Sequence, residues 1–153
     1  MFNKETEYAL RALVYIQSQN LLNRWPGITE ITREIEAPTF YTAKILQRMV
    51  RNGFLQSQKG KGGGFYFEKN QAALPLKEIV KAIEGDKTFK GCSFGLKQCN
   101  GDNPCPLHDQ YAPIRNAIQQ LLTDETIQTM AEKFKSPGSG SQTASRIIEK
   151  YPL

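Results

Sequence analysis

Three cysteines and the only histidine of the chain, Cys92, Cys99, Cys105 and His108, share one short stretch, separated by gaps of six, five and two residues. Thiolate is a soft donor, and imidazole joins it at zinc and at iron. Structural zinc sites use knuckles with about two to four residues between ligands. Here both gaps between cysteines are longer and carry a glycine, Gly95 or Gly101. That spacing suits a loop wrapped around a larger object, an iron–sulfur cluster, with backbone N–H groups turned toward inorganic sulfide. Zinc and three unrelated buried thiols are the alternatives. Cys105 precedes Pro106, a residue favoured at the first position of a helix, and a helix N-terminus stabilises a thiolate. His108 lies one turn further on, where it can point the same way.

A second set of residues has the chemistry of phosphate recognition. From Ala37 to Lys69 the chain holds Lys44, Arg48, Arg51, Lys59, Lys61 and Lys69 against the single acid Glu68. That surplus equals the net charge of the whole chain, +5, so the remainder sums to zero. Tyr41, Lys44, Arg48 and Arg51 recur at spacings of three, four and three, which places them on one face of a helix. Ile45, Leu46, Met49 and Val50 fall on the other side as its core stripe. A helix apolar on one face and cationic on the other suits a major groove lined with phosphates. Thr39, Tyr41 and Thr42, near its start, are the candidates for base-edge contacts. Lys44, Arg48, Arg51, Lys59 and Lys61 are the candidates for phosphates.

The elements that must position these groups follow from local signals. A short helix is predicted over 29–35 with Thr29 as its cap, then a turn at Glu36-Ala37-Pro38. A longer helix runs from Thr39, its expected cap, to Asn52 and is stopped by Gly53. Alternating runs over 54–58 and 65–68, joined by Lys59-Gly60-Lys61-Gly62-Gly63-Gly64, read as a hairpin. Its glycines allow positive φ and close approach to another chain. Helix, turn, helix and glycine-tipped hairpin is the order of a winged helix-turn-helix. Ahead of it, residues 5–19 form an amphipathic helix with Leu10, Leu13, Val14 and Gln17 on one stripe. Trp25, in the connection, is expected to pack in the core. A short helix follows over 77–84, ended by Gly85, with Ile79, Val80 and Ile83 inward.

Beyond the cysteine loop, Leu107, Tyr111, Ile114, Ile118, Leu121 and Leu122 mark a long helix. An apolar stripe on a peripheral helix needs a partner, and the simplest is the same helix of a second subunit. A further helix is expected over 124–134 and a linker at 136–141. The fold class is therefore mainly α with a small β-hairpin wing, a winged helix-turn-helix domain plus a long dimerisation helix. Its divisions are 1–90 (DNA binding), 91–106 (cysteine loop), 107–134 (dimerisation region) and 135–153 (flexible tail).

At 153 residues the chain supports one modest domain with appendages. No run approaches the roughly 20 apolar residues of a membrane span, and the N-terminus lacks the apolar segment of a secretory signal. A cytoplasmic protein is expected, with its odd cysteine count reduced rather than paired. With no spare histidine, paired carboxylates or nucleotide loop, an enzyme is not expected; an iron–sulfur electron carrier is the alternative of a different class.

Several segments together resemble the Rrf-two family of bacterial transcription regulators: Glu7-Tyr8-Ala9-Leu10-Arg11, residues 46–55 with Asn52-Gly53, the wing from Lys59 to Phe65, residues 76–85, and the cysteine loop leading into the long helix. The resemblance spans roughly residues 1–134. Its first cysteine gap is one residue longer than the pattern of the IscR-like and NsrR-like branches. It implies a homodimer whose long helices cross, a double-stranded DNA operator as partner, and an iron–sulfur cluster whose redox state, reaction with nitric oxide or occupancy alters operator binding. The IscR-like pattern implies His108 as fourth ligand of a [2Fe–2S] cluster, the favoured expectation because imidazole is the better established ligand. The NsrR-like pattern implies Glu7 from the partner subunit, with a [4Fe–4S] cluster. The same DNA-binding module holding zinc, or using its thiols as a metal-free switch, stays open.

Overall fold

The first helix, α1 (Lys4–Asn20), is the post around which the N-terminal half assembles. The structure, a computed structural model, describes residues 1–135, with side chains through residue 133; the expected linker and tail beyond them lie outside the described residues. Asn3 caps α1 by accepting a hydrogen bond from the Thr6 N–H at 2.8 Å, and Glu5 and Glu7 stand in the first turn, where the helix dipole favours acids. From Ala12 to Gln19 every residue is buried, so the expected single stripe becomes burial on all sides. A helix covered all round must be enclosed by other elements.

Those elements are α2 (Ile28–Glu34), α3 (Thr39–Arg51), a hairpin of β1 (Gln56–Gln58) and β2 (Gly64–Tyr66), and α7 (Ile127–Lys135). Ile31 from α2 and Ile35 just after it, Ile45, Leu46 and Met49 from α3, and Leu55 join Leu13 and Ile16 in one core. Two expected caps are corrected. Gly27 and Pro38 hold the cap positions of α2 and α3, so Thr29 and Thr39 are helical residues. Thr39 spends its hydroxyl on Thr32 Oγ1, 3.0 Å away, which ties the two helices across the turn. Glu36 takes a positive φ of 51° there, a turn conformation uncommon outside glycine.

The hairpin is antiparallel, in the register Gln56↔Tyr66, Ser57↔Phe65 and Gln58↔Gly64. Asn20, at the end of α1, anchors it: its amide N–H donates to the Phe65 carbonyl at 3.3 Å and its carbonyl accepts from the Phe67 N–H at 2.8 Å. Gly64 is required by close approach, because a Cβ there would lie 2.2 Å from the Trp25 carbonyl oxygen. The chain it approaches is thus its own. Trp25, expected in the core, is partly exposed and stacks on Tyr66 with centroids 4.1 Å apart.

Two compact units emerge: residues 1–74 with the stretch beginning at Thr126, and residues 75–125. The return of α7 to the first unit departs from the division at 90 and 107 expected from sequence. Ile127 and Ala131, one turn apart, are fully buried, and the Ile127 N–H donates to the Leu74 carbonyl at 2.9 Å. The second unit holds α4 (Leu76–Glu84), a short α5 (Lys87–Lys90) that the sequence did not signal, the cysteine loop and α6 (His108–Asp124). Ile79, Val80 and Phe89 are buried there, while Ile83 is half-buried. No helix among the described residues is long and apolar enough to cross a membrane.

Candidate functional site

α3 follows the helix-turn with its inner face filled by Ile45, Leu46 and Met49, and this sets what its outer face offers. Phe40, Lys44, Gln47 and Arg51, at spacings of four, three and four, are all exposed and lie opposite the buried stripe. The expected face of Tyr41, Lys44, Arg48 and Arg51 is therefore turned by roughly 50° about the helix axis, half a residue step at about 100° each. Tyr41 sits on the flank, its ring edge-on to Tyr8 with centroids 6.0 Å apart. Arg48, beside it, forms an ion pair with Glu5 of α1. Thr42 is corrected outright: its side chain is 0 % exposed, so it faces the core rather than a base edge. Its spacing of three, four and seven residues from Ile45, Leu46 and Met49 puts it on their buried stripe.

Lys59 and Lys61 are exposed at the hairpin tip. Between the hairpin and the second half of α3 runs an open cleft of about 580 Å³, lined by Gln47, Val50, Arg51, Ser57, Lys59 and Phe65. Cations thus edge a groove formed by a helix and a strand pair, which is the charge arrangement for gripping a polyanion.

In the second unit the three cysteines converge. Their sulfurs all lie within 4.8 Å of one another, with Cys92 Sγ 3.5 Å from Cys105 Sγ, and none is in a disulfide. His108, the first residue of α6, brings Nδ1 to 3.3 Å from Cys99 Sγ, so all four expected side chains are gathered. The helix begins two residues later than expected, with Leu107 as its cap and the Cys105 carbonyl accepting from the His108 N–H at 2.9 Å. Burial disfavours a Cys92 thiolate, but backbone N–H groups of Phe94 and Leu96 and the neighbouring thiols outweigh it and pull its pKa down to about 7. For Cys99 the Cys105 N–H at 3.4 Å favours the anion; burial and the other two sulfurs prevail and push its pKa up. Three sulfurs this close cannot all ionise without a cation among them, which is the chemistry of a metal or cluster donor set. Two residues escaped the sequence reading. Phe40 had a findable signal in its four-residue spacing from Lys44, whereas Arg115, which donates to the Gly91 carbonyl at 3.1 Å and ties α6 to the start of the loop, had none. Glu7 belongs to the first unit, where the Lys4 ammonium 2.8 Å away holds its carboxyl below the usual range.

A helix-turn-helix with a basic two-stranded wing, joined to a thiol cluster, defines the class: a winged helix-turn-helix transcription regulator. The chain belongs to the Rrf2 family, described as iron-dependent transcriptional regulators, whose sequence profile matches residues 2–133. It is 25 % identical over 132 residues to an Aquifex aeolicus (strain VF5) protein provisionally named an HTH-type transcriptional regulator, covering 85 % of this chain and 90 % of that one. Among solved structures, its fold is similar to CymR, the global cysteine regulator of B. subtilis, with a TM-score of 0.70, 15 % identity and coverage of 87 % and 97 % of the two chains. It is likewise similar to T. potens IscR, with a TM-score of 0.68, 14 % identity and coverage of 94 % of each chain. The family is one of regulators and not of enzymes, and three neighbouring cysteines fit a metal or cluster site.

Proposed function

We propose that this protein is a homodimeric, sequence-specific DNA-binding regulator of transcription whose operator affinity is controlled by an iron–sulfur cluster. The observation that carries the reading is the mutual approach of the Cys92, Cys99 and Cys105 sulfurs to within 4.8 Å, in a chain whose excess positive charge sits on α3 and the wing. Those three cysteines would hold the cluster, and His108 would supply the fourth ligand of a [2Fe–2S] centre, an assignment supported by its approach to Cys99. A [4Fe–4S] centre completed by Glu7 of the partner subunit is the alternative. Such a cluster, when bound, supplies a centre reactive toward oxidants and nitric oxide. The chain's own part is to hold it: the N–H groups of Phe94 and Leu96 favour the Cys92 thiolate, and Arg115 fixes the loop on α6. Lys44, Arg51, Lys59 and Lys61 neutralise phosphates across two half-sites about one helical turn apart. A protein with this task works in the cytoplasm, on double-stranded DNA.

The test is to purify the protein without oxygen, measure iron, sulfide, zinc and the visible spectrum, and repeat this for Cys99→Ser, His108→Ala and Glu7→Ala. Iron and sulfide lost in Cys99→Ser and altered in His108→Ala are the expected result. A native spectrum in His108→Ala with loss in Glu7→Ala moves the fourth ligand to the partner subunit. Zinc without sulfide overturns the cluster. A metal-free thiol switch is the second reading, favoured by the 3.5 Å between Cys92 Sγ and Cys105 Sγ; a protein purified free of metal that binds DNA only when reduced would establish it.

A further inference from the structure

Phosphate recognition explains the cations on the outer face of α3 but not the aromatic ring at its head. Phe40 is the second residue of the helix and is 76 % exposed. A single exposed apolar side chain is ordinary on a protein surface. This one stands in line with Lys44, Gln47 and Arg51, on the face opposite the core, and Lys44 Nζ lies 4.5 Å from its ring centroid. The ring therefore sits at the N-terminal end of the cationic face, with the Lys44 ammonium over it.

Its neighbours in the first turn are committed elsewhere. Thr39 bonds its hydroxyl to Thr32, Tyr41 packs edge-on to Tyr8, and Thr42 is fully buried. Phe40 remains as the most exposed large side chain of that turn, with the Lys44 head against its ring. In a helix-turn-helix the N-terminal residues of the second helix reach the base edges. The major groove displays one apolar group, the C5-methyl of thymine, and phenylalanine is among the side chains that contact it.

We infer that Phe40 is a specificity-determining residue that packs its ring against the C5-methyl group of one thymine in each half-site. Lys44 positions it, holding the ring from one side while the ammonium stays near the phosphates. The inference rests on the regulator reading proposed above and adds a base preference to it: an operator with a thymine at the same place in both halves.

The experiment uses the full chain, purified without oxygen, and a pool of random-sequence DNA duplexes from which bound molecules are recovered and sequenced. The recovered duplexes are expected to share a thymine in each half-site. Replacing one of these by deoxyuridine deletes only the methyl group and should weaken wild-type binding about four-fold, the scale of one buried methyl. Phe40→Ala, which removes both rings of the dimer, should bind the thymine duplex as weakly as wild type binds a duplex carrying deoxyuridine in both half-sites, about sixteen-fold, and should not respond to the replacement. Phe40→Leu, which keeps an apolar side chain, should retain part of the discrimination. Because the residue is exposed and outside the core, both variants should show the helical circular dichroism of the wild type. Full four-fold discrimination retained in Phe40→Ala, or a selected operator whose every thymine tolerates deoxyuridine, overturns the inference and leaves the regulator reading intact. If wild type recovers no preferred sequence, the regulator reading fails and takes the inference with it.

Discussion

On α3, Ile45, Leu46 and Met49 are at most 1 % exposed, closed over by α1 and α2 of the same unit. On α6, a helix of 17 residues whose apolar positions recur just as regularly, Leu122 alone is buried, and Ile114 and Leu121 are 56 % and 58 % exposed. The same periodicity thus has two fates. A helical repeat of apolar residues says that a face is apolar, and says nothing of what covers it. Where the cover lies within the protomer the stripe is core. Where it does not, the stripe is a surface rich in apolar groups of the kind that marks an interface, and a second copy of α6 is the partner proposed here. Pro113 interrupts one hydrogen bond inside α6 without ending it.

The largest effect expected from this contrast is on folding. Leu46→Ala should lower stability by about 2–5 kcal/mol, as the loss of a fully buried leucine does, and the loss should be the same at every protein concentration. Urea denaturation at two concentrations checks it; a loss below about 1 kcal/mol would mean that α3 is not closed over as described. Next comes assembly. Leu121→Asp should leave the protomer folded and weaken the dimer by about 2 kcal/mol or more, near thirty-fold in Kd, seen by sedimentation as dissociation on dilution. Unchanged assembly would show that something other than a second α6 covers the stripe. The smallest effect is on the outer side of α3 and the wing. Replacing Lys59 and Lys61 together by Ala removes four cations from the dimer and should reduce the slope of log K against log salt by about four, equally for preferred and scrambled duplexes. A change confined to the preferred duplex would make the wing a reader of sequence rather than of phosphate.

Much of the architecture is legible in the amino-acid sequence because it is local. The turn at Glu36-Ala37-Pro38, the stop at Gly53, the glycines of the wing tip and the stop at Gly85 act on their own few residues. The helices they bound appear within a few residues of the expected ends. The gathering of Cys92, Cys99, Cys105 and His108 was also within reach, since a short loop and one helical turn keep them close in any compact form.

What the tertiary structure alone decided is non-local. An amphipathic helix tolerates a rotation of half a residue step without losing its pattern, so only packing against α1 fixed how far the outer face turns toward Phe40 and Gln47 and set Arg48 against Glu5. The same holds for α7, whose Ile127 and Ala131 carry no mark of which partner they bury against; α1, more than a hundred residues earlier, supplies it. Trp25 reads as a core residue until the wing brings Tyr66 beneath it. Sequence determined where each element starts and which groups it carries, because turns, caps and spacing act over a few bonds. Structure determined which face of each helix meets water, because that depends on surfaces contributed by distant parts of the chain.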